Sequence, residues 1–266
     1  MNDMKFTKMH GLGNDYLYVY GEVPSDIAEL STRLSERHFG AGSDGMIYIS
    51  PSDVADFKMR IFNADGSEAM MCGNGIRCVG KYVYDKGYTD KTNLKIETLS
   101  GIKYLDLHLS GGEVKTVSVN MGIAVPEKEN ILYVDNTEIH YIPVSVGNPH
   151  AVIFVDDIEK APLTTLGPKI EHHSAFPGGV NVEFVQVLSD KELRMRVWER
   201  GSGVTMACGT GACASTMAAI EKKFCDYDTP ISVHLDGGTL KIQIASDHTV
   251  IMTGPAEIIY EGETTI

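Results

Sequence analysis

The sequence lacks any unbroken apolar stretch near the ~18 to 20 residues that a membrane span needs, so no transmembrane helix is expected. Its opening residues, Met1 to Lys8, lack the apolar core of a secretory leader. Together these absences lead to the expectation of a soluble cytoplasmic protein whose five cysteines remain thiols. Positive charge is also scarce, with 23 Lys and Arg against 36 Asp and Glu and a net charge of −13. No basic cluster overrides that balance. Nucleic-acid affinity rests on neutralising phosphates, so a nucleic-acid partner is excluded, and the acidity reads as a solubility feature. Closely spaced metal knuckles are missing too. Cys72 and Cys78 are separated by five residues and Cys208 and Cys213 by four, which does not suit a zinc site. Gly75 to Lys81 starts like a phosphate loop, but Tyr82 stands where Ser or Thr is required and the segment lies in a helical pattern.

What is present is a repeat. The 266 residues suit two domains of ~130 residues each. Met59-Arg60-Ile61-Phe62-Asn63 matches Met195-Arg196-Val197-Trp198-Glu199 at an offset of 136 residues. The same offset carries Met70 onto Met206, Cys72 onto Cys208, Gly73 onto Gly209 and Gly75 onto Gly211. A looser echo pairs Gly13-Asn14 with Gly147-Asn148 at an offset of 134. Each copy therefore supplies an equivalent Cys-Gly-x-Gly element. Cys78, Cys213 and Cys225 have no counterpart at that offset and read as structural. The spacing of His10, His38, His108, His140, His172, His173, His234 and His248 selects none of them for chemistry.

Each Cys-Gly-x-Gly follows a β-rich segment, Phe57 to Phe62 or Leu193 to Trp198, and a Gly-rich turn. Each opens a helix. The first carries Ile76, Val79 and Val83 at helical spacing and stops near Gly87. The second is built of small residues, Gly211, Ala212, Ala214, Ser215, Ala218 and Ala219, which predicts a helix packed on several faces. Ser25 to Phe39 predicts an amphipathic helix ending at Gly40, and most of the remainder alternates as strands. Gly122 to Glu138 reads as the loop joining the halves. The expected fold is α+β: two pseudo-symmetric domains, each a curved mixed sheet or barrel around a central helix, with the active site in the cleft between them. The first domain covers 1–121 and the second 122–255.

Two thiols at two helix starts suit proton transfer. Unpaired backbone amides and the positive dipole end favour a thiolate and bind anions. A helix end contributes ~0.3 to 2 kcal/mol, enough to move a thiol of pKa ~8.5 toward neutrality. Two neighbouring thiolates would repel, so a thiolate/thiol pair is expected at rest. One removes an α-proton and the other delivers a proton to the opposite face. The amides of Gly73-Asn74 and Gly209-Thr210 can stabilise charge developing on the substrate carboxylate.

Six segments, Met9 to Tyr16, Phe62 to Glu68, Met71 to Gly75, Gly147 to His150, Val180 to Val182 and Glu199 to Ala212, carry a resemblance. Through them the chain resembles the diaminopimelate epimerase family over nearly its whole length. The resemblance implies a cofactor-independent enzyme of lysine and cell-wall biosynthesis that interconverts LL- and meso-diaminopimelate, with no metal. It implies Cys72 and Cys208 as the bases and His150 and Glu199 as groups adjusting their protonation. Asn14, Asn63, Asn148, Asn181, Glu199 and Arg200 would hold the substrate, with Gly73, Asn74, Gly209 and Thr210 at the reacting carboxylate. It further implies a homodimer, and a final strand, Ala256 to Gly262 within residues 256–266, returning to the first domain. Two positions depart from the family pattern: Gly45, where many relatives carry Gln, and Val204, where Glu is common. Both bear on substrate selectivity. The alternatives are a racemase or isomerase of the same fold acting on another small acid, and a metal- or redox-binding protein without enzymatic activity.

Overall fold

A computed structural model of the protein describes residues 3–265, which form two compact units. One unit runs up to Val119 and takes up again from Gly254; the other is Asn120–Thr253.

The first unit is built from β1 (Asp3–Gly11), β2 (Asn14–Tyr20), α1 (Ile27–Ser35), β3 (Gly45–Ser50), β4 (Phe57–Asn63), β5 (Glu68–Ala69), α2 (Gly73–Asp85), β6 (Asn93–Thr98), β7 (Gly101–Ser110) and the larger part of β8 (Glu113–Ile123), whose residues from Asn120 fall in the second. Strands β2 and β3 are parallel, as are β4 and β6, and the other pairs are antiparallel. Helix α2 buries Ile76, Val79 and Val83, the stripe its spacing predicts. Gly80 lets it lie close to β7, since a Cβ there would stand 2.8 Å from Leu107 Cδ2. Helix α1 is shorter than its sequence pattern. Glu36 leaves the helical region, and the loop that follows turns back so that the Gly42 and Ser43 amides bond the Leu34 and Ser35 carbonyls at 3.0 Å. Those bonds satisfy helix-end acceptors from outside the helix, so it needs no further turn.

The second unit contains β9 (Val125–Pro126), β10 (Asn130–Val134), β11 (Thr137–Ser145), β12 (Pro149–Phe154), a 3₁₀ turn (Ile158–Lys160), α3 (Leu163–Glu171), β13 (Asn181–Ser189), β14 (Glu192–Glu199), β15 (Gly203–Val204), α4 (Gly209–Glu221), β16 (Ile231–Leu235), β17 (Gly238–Ile244) and β18 (Thr249–Pro255). The segment expected as a joining loop, Gly122 to Glu138, instead holds β9 and β10, and β10 pairs antiparallel with β11 from Asn130↔Tyr141 to Val134↔Thr137. Asp135 and Asn136 take positive φ, as the two central residues of a tight hairpin turn must. Helix α4 is buried along nearly its whole length, consistent with its small residues, and packs on β9, β11 to β14, β16 and β17. The last strand, β19 (Glu257–Thr265), belongs to the first unit and runs antiparallel to β1, from Asp3↔Thr265 to His10↔Glu257, with a bulge between Lys8 and Met9.

The units are copies in topology. The order β2-α1-β3-β4-β5-α2-β6-β7-β8 recurs as β12-α3-β13-β14-β15-α4-β16-β17-β18. The parallel pairs recur with it, β12 with β13 and β14 with β16. Helices α1 and α3 span 27–35 and 163–171, and α2 and α4 span 73–85 and 209–221; both pairs stand 136 residues apart. The fold is α+β and duplicated.

Candidate active site

Both repeat cysteines are helix N-caps. Cys72 and Cys208 have extended backbone, and each sulfur accepts a hydrogen bond from the amide three residues on: Gly75 N to Cys72 Sγ at 3.3 Å, and Gly211 N to Cys208 Sγ at 3.4 Å. The sequence places glycine at that third position for space. A Cβ on Gly75 would stand 2.7 Å from Ile47 Cδ1, and one on Gly211 would stand 2.8 Å from Glu183 Oε1. Each thiol thus sits where helix amides and the helix dipole favour a negative sulfur.

Around Cys72 the first unit places Asn14 and Tyr16. Its Sγ lies 3.3 Å from Asn14 Oδ1, and Asn14 Nδ2 donates to Asp44 at 2.8 Å. Asp44 also takes the Asp15 amide and Arg37, so Asn14 is held with its carbonyl oxygen toward the sulfur. Burial, then the nearby Cys72, pushes the Tyr16 hydroxyl well above its usual range. Gly73 and Asn74 form the first turn of α2. Fully buried Arg77 clasps that turn, donating to the Gly73 carbonyl at 3.1 Å and to Asn74 Oδ1 at 2.9 Å, and it also reaches the Pro255 carbonyl at 3.1 Å. Asn63 ends β4 opposite Gly45, with its amide directed to Ser67 Oγ at 3.0 Å.

Around Cys208 the second unit supplies ionisable partners. Thr210 Oγ1 lies 3.5 Å from the sulfur and accepts from Asn148 Nδ2 at 3.3 Å. Asn148 Oδ1 meets His150 Nε2 at 3.1 Å, and His150 Nδ1 meets Glu183 Oε1 at 2.7 Å. Glu199 accepts from the Thr205 hydroxyl, and its carboxyl lies within electrostatic reach of Cys208. Burial pushes the Cys208 thiol far up, and the carboxylates of Glu199 and Glu183 push it further, while Thr210 and the Gly211 amide pull the other way. Burial also raises Glu199, which favours its protonated form. Asn181 is committed to backbone: its Oδ1 takes the Arg200 amide at 3.0 Å, and its Nδ2 donates to the Pro149 carbonyl at 3.0 Å. Arg200 is exposed, with its guanidinium on the Gly178 carbonyl at 3.1 Å.

The expected residues therefore gather in three groups. Asn14, Cys72, Gly73 and Asn74 surround one helix start. Asn148, His150, Glu199, Cys208, Gly209 and Thr210 surround the other. Asn181 and Arg200 form a third group next to Pro149, while Asn63 bonds within its own turn. Sequence reasoning missed Asp44, Arg77, Glu183 and Thr205. Glu183 carried a signal: 136 residues earlier the repeat has Ile47, so a carboxylate replaces an apolar residue inside a strand. Arg77 and Lys81, four apart on a helix, are likewise conspicuous among its small and apolar residues. Among the described residues no group of three or more His, Cys, Asp or Glu is arranged to hold a metal ion, and no helix is long and apolar enough to cross a membrane.

Comparison with known proteins identifies the family. The family model for diaminopimelate epimerase matches residues 6–126 and 142–259. A diaminopimelate epimerase from Agathobacter rectalis is 51% identical, with 99% of this chain and 100% of that one covered. One from Acetivibrio thermocellus is 48% identical over 99% of both chains. Among solved structures, a phenazine biosynthesis protein from Bacillus anthracis superposes with a TM-score of 0.80 at 16% identity, covering 100% of both chains. A hydroxyproline epimerase from Agrobacterium vitis gives 0.75 at 17% identity, over 99% of this chain and 91% of that one. At such identities these two likenesses establish the fold alone. With the duplicated Cys-Gly-x-Gly helix starts, the full-length match to the family model and half the residues shared with the curated relatives, this chain belongs to the diaminopimelate epimerase family.

Proposed function

We propose that the protein is a cofactor-independent epimerase that interconverts LL- and meso-2,6-diaminopimelate, in lysine and peptidoglycan precursor synthesis, with Cys72 and Cys208 as its two bases. The observation that carries this reading is the pair of sulfurs capping equivalent helices, each on a glycine amide. The relatives' shared name supports the substrate.

The reaction needs one thiol on each face of the substrate α-carbon. A thiolate takes the α-hydrogen, so that the C–H bond breaks, S–H forms, and the electron pair passes into the neighbouring carboxylate. The opposite thiol then gives its proton to the other face, leaving the second sulfur as the thiolate. The first-turn amides of α2 and α4, at Gly73-Asn74 and Gly209-Thr210, stabilise the charge gathered on the carboxylate oxygens. With the Cys208 thiol pushed far up by burial and two carboxylates, Cys208 rests as the acid. Glu199 and His150 adjust that balance. Asn14, Asn63, Asn148 and Asn181 position the substrate, and Arg200 pairs with the distal carboxylate. The working form is a cytoplasmic homodimer.

The test is hydrogen exchange at Cα. In D₂O, LL-diaminopimelate incubated with the protein is expected to gain deuterium at one α-carbon and to yield the meso isomer. No exchange on diaminopimelate, with exchange on another amino acid, overturns the substrate assignment.

A further inference from the structure

Glu183 is fully buried in β13, and one of its oxygens, Oε2, is buried with no hydrogen-bond partner. The pseudo-symmetric position in β3 is Ile47, which packs on Gly75 as Glu183 packs on Gly211. Likewise His150 takes the place that Tyr16 holds in the first unit, at the 134-residue offset of Asn14 and Asn148. A site that folds well with isoleucine in one copy carries a carboxylate in the other. Burying a carboxyl beside a second carboxyl and a thiol is costly, so a packing role does not explain it.

The contacts of Glu183 lead in one direction. Its Oε1 meets His150 Nδ1 at 2.7 Å, His150 Nε2 meets Asn148 Oδ1 at 3.1 Å, Asn148 Nδ2 meets Thr210 Oγ1 at 3.3 Å, and Thr210 Oγ1 meets Cys208 Sγ at 3.5 Å. Donors and acceptors along this chain are not independent. Asn148 has one donating end and one accepting end. With its carbonyl toward the ring, His150 must carry its proton on Nε2, and the amide end then donates to Thr210. Thr210, already accepting, is left with its hydroxyl proton for the sulfur. Were the ring to carry its proton on Nδ1 alone, Asn148 would turn over, and the Thr210 proton would point at Asn148 instead. The partner offered to Nδ1 therefore decides what the Cys208 sulfur receives.

We propose that Glu183 is a positioning residue for Cys208: its carboxyl and the His150 Nδ1 share one proton, which holds the ring with a second proton on Nε2 toward Asn148, and through Asn148 and Thr210 it aims a hydroxyl donor at the sulfur. This rests on Cys208 being one of the two bases. It adds that the second unit tunes its base through a four-residue chain in which Ile47, the equivalent of Glu183 in the first unit, could take no part.

Leucine at 183 imitates the apolar residue of the first unit and is expected to fold. Glutamine keeps a partner for the ring, because its amide donates to Nδ1 and leaves the proton on Nε2. Glu183→Gln is expected to keep kcat/KM within about threefold, while Glu183→Leu and Thr210→Val each lose roughly 10- to 100-fold, the range of a charge-assisted hydrogen bond. Thr210→Ser, which keeps the hydroxyl, retains most activity. The double variant Glu183→Leu/Thr210→Val loses no more than the worse single variant, because both cut one chain. ¹⁵N NMR of the His150 ring, recorded without substrate, is expected to place a proton on Nε2 in the unaltered protein and in Glu183→Gln, and to give two tautomers in Glu183→Leu. Additive losses, Glu183→Gln as damaged as Glu183→Leu, or a ring unchanged in Glu183→Leu would each overturn the proposal. The ring spectrum requires no turnover, so it tests the chain even if diaminopimelate proves not to be the substrate; Cα exchange by the unaltered protein tests the activity by itself.

Discussion

Sulfur is a weak hydrogen-bond acceptor, yet it occupies two N-cap positions where serine, threonine, aspartate or asparagine bind the free amide better. In the proposed mechanism, stability is given up at these two residues for a group that can exchange protons with the substrate. Cys72→Ser and Cys208→Ser are each expected to abolish epimerisation while leaving the melting temperature unchanged or higher, as a better cap contributes about 0.5 to 1 kcal/mol. Cys78→Ala, Cys213→Ser and Cys225→Ser keep most activity. Paired activity assays and calorimetry check both statements, and turnover by either cap variant would end the two-base mechanism. Arg200 offers a second test. If it pairs with the distal carboxylate as proposed, Arg200→Met should lower kcat/KM for diaminopimelate by roughly 10- to 150-fold and far less for an amino acid without the distal group. Equal losses on both would instead assign Arg200 to holding the Gly178 turn. At this scale the sequence disclosed residues carried by motif or repeat, such as the cysteines, Asn14 and Asn148. It hid Glu183, Arg77 and Asp44, whose importance lies in partners 33 or 30 residues away or at a helix start, and one sequence does not encode distance.

Elements were legible where local pattern and tertiary role agreed. Helix α2 announced itself by its apolar spacing, and its end follows: the Gly87 amide bonds Tyr84 O, the Tyr88 amide bonds Val83 O, and Gly87 has a φ of 74°. Helix α3 went unread because Pro168 lies inside it and its flanks are turn-rich, although shifting α1 by the repeat offset lands on its residues. The duplication was the stronger signal. It also exposes an imperfect copy: α4 ends with the same pair of bonds, but the left-handed residue is Lys223, with a φ of 61°, where α2 has Gly87. A side chain in that conformation costs about 0.5 to 1 kcal/mol. Lys223→Gly is thus expected to raise stability by about that amount and Gly87→Ala to lower it similarly, measured by urea unfolding. Gly45 is constrained differently: a Cβ there would stand 2.2 Å from the Phe62 carbonyl oxygen, so this backbone has no place for a side chain, and Gly45→Gln is expected not to fold stably.

For the molecule as a whole, buried thiols set an alkaline limit. Burial pushes Cys78 up to about 11, from an ordinary value of 9.0, and Cys225 likewise to about 11. The folded state therefore holds protons that the unfolded chain releases, and stability falls as pH rises from about 9 through 11. Two pH units at full burial correspond to about 2 to 3 kcal/mol for Cys78. Urea midpoints measured at pH 8 and pH 10.5 should fall with pH, and the fall should be smaller in Cys78→Ala; an unchanged slope would remove the thiol as its cause. The overall architecture, two copies of one mixed-sheet unit, was readable from the offset alone. The return of the last strand to the first domain was expected from the family resemblance, but nothing local in residues 257–265 names β1 as its partner. That pairing has a consequence for synthesis. The second unit is one continuous stretch and is complete as soon as residue 253 has left the ribosome. The first unit begins earlier but must wait, with the β1 edge that β19 later covers still open, until the entire second unit has been translated. The half made first is the half finished last, and during that interval it is the part of the nascent chain most in need of a chaperone.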